Sequence, residues 1–342
     1  MRAVGYHNPL PIADHAALAD IDLPKPEPVG RDLLVEVRAV SVNPVDTKVR
    51  RSAKPEGGGW KVLGWDAAGT VAAVGPQATL FQPGDAVFYA GALGRSGANA
   101  EFHLVDERIV GAKPTSLDWP QAAALPLTAI TAWEALFERI DVRRPVPGAA
   151  PALLIIGGAG GVGSIAIQLA RRLTDLTVIA TASRPETRSW VRELGAHRVI
   201  DHGKPLAAEV AALDLGAPGF VFSTTNTHRH LSEIAALIAP QGRFAVIDDP
   251  AVLDINPFKR KSVSVHWEFM FTRSMFETPD IGAQGALLNE VARLVDEGVL
   301  RTTFAENLGL INAANLRRAH ALIESGRARG KIVLAGFGDD VQ

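Results

Sequence analysis

Residues 152–172, ALLIIGGAGGVGSIAIQLARR, decide the fold. The stretch opens on a short apolar run, Leu153-Leu154-Ile155-Ile156, too brief for a helix and suited to a parallel strand buried on both faces. Glycines follow at positions 157, 158, 160, 161 and 163, after which Ile165, Ile167, Leu169 and Ala170 resume at helical spacing. Gly158-x-Gly160-x-x-Gly163 is the dinucleotide fingerprint: one glycine makes the tight turn, one lets the backbone approach a pyrophosphate, and one lets helix and strand pack closely. The amides that open the helix, at Gly161, Val162 and Gly163, face an anion with the positive end of the helix dipole. Such a pattern alone is common. Strand directly before and helix directly after give it the context of a nucleotide site.

The chain of 342 residues is long enough for about two domains. Hydrophobic residues make up 47% and charged residues 21%, enough for a sizeable core. A net charge of -2 supplies neither a basic field for nucleic acid nor an acidic arm. The sequence has no cysteine, which excludes disulfides and thiolate metal ligands and accords with a cytoplasmic setting. MRAVGYHNPLPIADH lacks the apolar centre of a signal peptide. The longest apolar run, Ala122 to Phe137, is broken by Pro126 and two threonines and is too short to span a bilayer, so no membrane association is expected.

Residues 1–125 read as β-rich. Leu33–Val40, Gly69–Val74 and Ala86–Tyr89 have strand character and are separated by turn clusters at 24–28, 57–59 and 82–85, a spacing that suggests a compact barrel. Ala122–Phe137 reads as a helix interrupted at Pro126. Strand and helix then alternate. Thr177–Thr181, Arg198–Asp201, Gly219–Ser223 and Arg243–Ile247 are further strands, with helices over Pro185–Leu194 and Leu231–Ile238 and a possible sixth strand at Val263–Phe269. That alternation predicts a parallel, doubly wound sheet. Gly285–Glu297 and Ala313–Ser325 read as amphipathic helices, and Lys331–Leu334 as a closing strand that returns to the first domain.

The second strand ends in Thr181-Ala182-Ser183-Arg184-Pro185-Glu186. An acid at this place holds a ribose 2′-hydroxyl, whereas an arginine accommodates a 2′-phosphate. Ser183 and Arg184 offer a hydroxyl and a fork of donors suited to a phosphate dianion, which favours NADP(H) over NAD(H).

Several segments together resemble the medium-chain dehydrogenase/reductase superfamily along nearly the whole chain. They are Ser41–Lys48 with its Asn-x-x-Asp, Leu63–Gly69 with Asp66 where the family has Glu, Pro83–Val87, Ala122–Trp133 and Gly330–Leu334. Within the superfamily the sequence is similar to the zinc-free quinone oxidoreductase branch. The resemblance implies an α/β protein: a β-rich GroES-like catalytic domain (residues 1–126 and 273–342) and a Rossmann NADP(H)-binding domain (127–272). It implies a homodimer joined through the sixth strand, which an unbroken Ser262–Phe269 strand would permit.

The same resemblance places polar groups near the nicotinamide at Asn43, Asp46 and Thr131, with Lys48 able to stabilise an enolate and Tyr89 as a possible proton donor. It adds His202, Ser223, Thr224 and Lys331 to the cofactor contacts. Two departures stand out. Ser223-Thr224-Thr225-Asn226 replaces an Asp-x-x-Gly turn, and Asp248-Asp249 replaces a glycine-bearing turn, which sets two carboxylates near the expected cofactor. The family's three catalytic zinc positions carry Asn43, Trp65 and about Leu127, so no zinc is expected; His228 and His230 have no evident third partner. Without a Lewis acid, the acceptor of hydride should be an activated small molecule, a quinone or an α,β-unsaturated carbonyl. Two alternatives are an alcohol or aldehyde oxidoreductase and a non-catalytic NADPH-binding regulator of a partner or RNA.

Overall fold

Short β-branched runs punctuated by glycine and proline give the first part of the chain its strands: β1 (Arg2–Tyr6), β2 (Ala19–Asp22), β3 (Asp32–Val42), β4 (Lys61–Val62), β5 (Ala67–Val74), β6 (Ala86–Tyr89), β7 (Phe102–Asp106) and β8 (Val110–Ala112). Two helices interrupt and follow them, α1 (Pro44–Ser52) and α2 (Trp119–Ala123), and α3 (Pro126–Trp133) comes next. The computed structural model describes residues 1–338. The chain divides into two compact units, Met1–Leu127 together with the chain from Phe271 onward, and Thr128–Met270.

In the first unit β3 is the organising strand. It pairs antiparallel with β5 and β7, and with the C-terminal strand Lys331–Ala335. Two register shifts along the β3–β5 ladder, at Leu34/Val35 and Val37/Ala39, let the sheet coil toward a barrel. Gly69 is required at this crossing, since a Cβ there would lie 2.2 Å from the Glu36 carbonyl oxygen. β1, β2 and β4 form a separate three-stranded sheet. α1 begins with proline at its first turn and with a capping box between Asn43 and Asp46.

The second unit is an all-parallel six-stranded sheet built from β9 (Ala150–Ile156), α4 (Gly161–Leu173), β10 (Thr177–Thr181), α5 (Pro185–Glu193), β11 (Arg198–Ile200), α6 (Leu206–Ala211), β12 (Pro218–Ser223), α7 (Thr227–Leu237), β13 (Arg243–Val246) and β14 (Ser264–Trp267). The order β11-β10-β9-β12-β13-β14 is that of a doubly wound dinucleotide fold, with β9 at its centre. Leu154, Ile156, Ile179, Val221, Phe244 and Val246 form one face of the sheet's core, against Ile234, Ile238 and Phe258. The elements α8 (Thr272–Phe276), α9 (Ala283–Asp296), β15 (Phe304–Asn307), α10 (Ala313–Glu324) and β16 (Lys331–Ala335) complete the first unit. No described helix is long and apolar enough to cross a membrane.

Several details differ from the sequence reading. The sixth strand is four residues long rather than running from Ser262 to Phe269, because Ser262 adopts a left-handed backbone (φ 50) that breaks extension. α7 begins at Thr227, four residues before Leu231, because its first turn is polar and carries no apolar period. The interruption expected at Pro126 separates α2 from α3, and α3 runs on into a π-helical turn over Glu134–Arg139.

Candidate functional site

β9 ends at Ile156 and α4 starts at Gly161 with Gly160 as its N-cap, so the glycines form the turn itself. Gly157 takes a left-handed backbone (φ 84), and its amide donates to the Thr181 hydroxyl at 3.0 Å. Side chains cannot be added at two of the three fingerprint positions. A Cβ at Gly163 would sit 2.3 Å from the Gly157 carbonyl oxygen, and one at Gly158 would sit 2.9 Å from the Ala180 Cβ. Gly160 is different: its nearest neighbour would be the Gly157 oxygen at 3.5 Å, so the space beside its backbone is open. Amides in the first turn of α4 lack an intrahelical acceptor and carry the positive end of the dipole. The turn is a cradle for an anion, and it fits the pyrophosphate of a dinucleotide.

The groups expected around the cradle follow at the strand ends. Ser183 is exposed beyond β10, and Arg184 is the N-cap residue of α5, partly exposed and paired with Glu186 at 3.0 Å. Arg188, not singled out from sequence, donates to the Ala182 and Val199 carbonyls (3.1 and 3.2 Å) and braces this loop. His202 is exposed beyond β11. Burial, and then the neighbouring His202, Arg229 and His228, hold the His230 imidazole below its ordinary value. Ser223 is buried at the end of β12 with its hydroxyl 2.8 Å from that of Thr227, while the Thr224 hydroxyl donates to the Ile156 carbonyl at 2.9 Å. The unexplained acid Asp248 has a structural partner. Its carboxylate accepts from the Thr227 amide at 2.9 Å and from the Thr227 hydroxyl, so it caps α7 from the end of the neighbouring strand. Thr131 lies buried on α3.

In the first unit the sequence candidates separate. Asn43, Asp46 and Lys331 are buried and come together with Asp66. Asp46 accepts from the Asn43 amide at 2.7 Å and from the Gly64 amide at 3.0 Å. Burial, opposed by those amides and by Lys331, pushes its carboxyl up to about 7. Asp66 accepts from the Leu127 amide (2.7 Å), the Asn43 side-chain amide (2.8 Å) and the Lys331 ammonium (3.0 Å), and burial pushes its carboxyl up as well. Lys48 is exposed on α1. Tyr89 is buried, stacked on His103 at 5.5 Å, with its hydroxyl 3.0 Å from His103 Nδ1. Because His103 Nε2 lies 2.8 Å from the Ser96 carbonyl, Nε2 carries the proton and Tyr89 is the donor to Nδ1. Burial raises the phenol and lowers the imidazole to about 4, so both are neutral. The Asp66–Lys331 pairing was missed from sequence, although each charge abuts an apolar strand run and so needed a partner.

The chain matches an alcohol dehydrogenase GroES-like domain over residues 30–115 and a zinc-binding dehydrogenase domain over residues 194–334. It is 38% identical over 339 residues to the zinc-type alcohol dehydrogenase-like protein of Staphylococcus aureus (strain MSSA476), covering 98% of this chain and 99% of that one. The chain belongs to the medium-chain dehydrogenase/reductase superfamily. This dehydrogenase/reductase is also 30% identical over 325 residues to the quinone oxidoreductase of Lama guanicoe, with 92% of each chain covered. A crystal structure from Rhizobium etli CFN 42, provisionally named a zinc-dependent alcohol dehydrogenase, superposes with a TM-score of 0.98 at 71% identity, over 99% of both chains. The present superfamily member is therefore an oxidoreductase of GroES-like and Rossmann-type architecture.

The zinc in those relatives' names can be tested against the donors present. A catalytic zinc takes three protein ligands drawn from Cys, His and carboxylates. Asn43, Trp65 and Leu127 offer a single amide oxygen among them, and that oxygen is bonded to Lys331. The Trp65 indole donates to the Ala92 carbonyl at 3.3 Å and has no lone pair to give. This donor set does not fit a zinc ion.

Proposed function

We propose that this chain is a zinc-independent, NADPH-dependent reductase whose acceptor is a quinone or an α,β-unsaturated carbonyl. The observation that carries the reading is the glycine turn after β9, closed to side chains at Gly158 and Gly163 and open beside Gly160. When bound, the nicotinamide supplies a hydride to an electron-poor carbon.

The chain's own residues would do the remaining work. The amides of Gly161 and Val162 hold the pyrophosphate. Ser183 and Arg184 take the 2′-phosphate; the pair Arg184 makes with Glu186 is exposed, and an exposed pair of this kind is worth only about 0–1 kcal/mol. Thr224 fixes the wall of the turn through the Ile156 carbonyl, and His202 lies beyond β11, where it can donate to a phosphate oxygen. Capping by Asp248 directs a carboxylate at the amides of α7, which lowers its repulsion of an anionic cofactor. A donor set that cannot hold zinc favours acceptors that react without a Lewis acid. Likeness to the quinone oxidoreductase of Lama guanicoe supports the same class. A homodimer joined along β14 is part of the proposal, supported by the exposure of Trp267 and Phe269 at that edge.

The Rhizobium etli structure's name favours a second reading, alcohol or aldehyde oxidation with zinc. Oxidation of NADPH by a panel of small quinones and enones, run beside NADP⁺-linked alcohol oxidation with and without added zinc, separates the two. Turnover with the first panel alone supports the proposal; zinc-dependent alcohol oxidation alone replaces it.

A further inference from the structure

The register of β16 on β3 sets Ile332 opposite Val42, which brings Lys331 beside Asn43 at the start of α1. There the geometry closes on itself. An ammonium has three N–H donors. Those of Lys331 find three acceptors: the Val42 carbonyl at 3.1 Å, Asp66 Oδ2 at 3.0 Å and Asn43 Oδ1. Asn43 spends its other end on Asp66 Oδ2 at 2.8 Å and the Ser41 carbonyl at 3.3 Å, and Asp66 Oδ1 is taken by the Leu127 amide. The Asp66 side chain is 0% exposed and that of Lys331 is 3% exposed, so each charge depends on the other rather than on water. A divalent ion drawn to these oxygens would have to strip them from the ammonium, leaving two cations side by side in a dry space.

We infer that Lys331 is the resident cation of this buried cluster: its ammonium, rather than a metal, is the positive charge that holds Asn43 and Asp66 in place, and it bars a divalent ion from their oxygens. Lys331 is then a positioning residue of the first unit and not a contact of the cofactor. The inference rests on the zinc-independent part of the proposed function and is indifferent to the acceptor.

The test uses the full chain with Lys331→Met, Asp66→Asn and both together. Each single variant should melt lower by about 5 °C or more, because it strands a buried charge, and the double variant should recover most of that loss. Asn at 66 can still accept from the Leu127 amide, and a flipped Asn43 can accept from the new amide. Losses that simply add, or a double variant no more stable than Lys331→Met (one that does not fold included), overturn the inference. The double variant should bind NADPH within about twofold of wild type by calorimetry; a loss of about tenfold or more returns Lys331 to the cofactor. Wild-type protein dialysed against zinc and desalted should retain no stoichiometric metal. One zinc per chain, lost on Asn43→Ala, also overturns it. Failure to oxidise NADPH with any acceptor would remove the proposed function and leave the melting result standing.

Discussion

A methyl group placed on Gly160 and one placed on Gly163 would meet different things. At Gly163 it would collide with the Gly157 carbonyl and with Gly158 Cα, both backbone atoms that cannot move without opening the turn, whereas at Gly160 it would fill unoccupied space. Gly160 also has an ordinary extended backbone (φ -72, ψ 174), so alanine is unstrained there. Gly160→Ala should therefore melt within a few degrees of wild type yet bind NADPH at least about tenfold more weakly, while Gly163→Ala should lose stability by about 2 kcal/mol or more. Thermal melts and titration calorimetry on both variants check this, and unchanged NADPH affinity in Gly160→Ala would remove the pyrophosphate from the turn. Arg184→Ala belongs to the same scale. It should weaken NADPH by about tenfold or more and NADH by less than about twofold. Equal effects on the two nucleotides would take Arg184 out of the phosphate site. The glycine turn was legible in the sequence, and so was the place of Arg184 between the second strand and its helix, because both depend on near neighbours in the chain. The capping role of Asp248 was not, since its partner Thr227 lies 21 residues earlier, at the start of the preceding helix.

Among the elements, the π-helical turn over Glu134–Arg139 carries a charge arrangement that its sequence only hinted at. Glu134 interrupts an apolar run, and Glu268 interrupts an aromatic one. In the structure both are buried, with Arg139 2.8 Å from Glu268 and 3.8 Å from Glu134. His266 on β14 also faces this group, and burial, with Arg243 and Arg139 beside it, holds that imidazole below its ordinary value. Burial first, and then the charge and hydrogen bond of Glu134, push the Glu268 carboxyl well above its ordinary 4.5, with Arg139 pulling the other way. The sign follows from linkage. A carboxyl whose folded value is raised binds its proton more tightly in the folded state, so its contribution is full below 4.5 and is lost as pH rises from there past neutrality. Glu268→Gln removes that titration. The variant should gain on wild type steadily between pH 5 and pH 8, by up to about 1.4 kcal/mol per pH unit, which chemical denaturation across that range measures. A constant difference between the two proteins would show that Glu268 holds no proton there.

At the scale of the molecule, the doubly wound sheet was readable because parallel strands buried on both faces announce themselves as unbroken apolar runs, and β9, β10, β12 and β13 do so. The first unit was harder. β2, β7 and β15 are short and half-polar, β1 is a five-residue strand buried along most of its length with no polar alternation, and α1 buries Asp46, Thr47 and Arg50 rather than an apolar stripe, so periodicity pointed to none of them. β14 was overestimated for a related reason: its aromatic residues extend beyond the strand, but Ser262 ends extension on one side and the ladder to β13 stops at Trp267 on the other. It is nevertheless one of the two edge strands of the six-stranded sheet, and Trp267 is 54% exposed there. Unprotected strand edges invite pairing with a second copy, whereas a lysine on such an edge discourages it. Light scattering should accordingly give wild-type protein a mass of twice the 36.3 kDa chain, and Trp267→Lys should shift it toward a single chain with little change in the melting of the sheet itself. Wild-type protein that runs as one 36.3 kDa chain at micromolar concentration would remove the dimer, and an unshifted Trp267→Lys would move the interface away from β14.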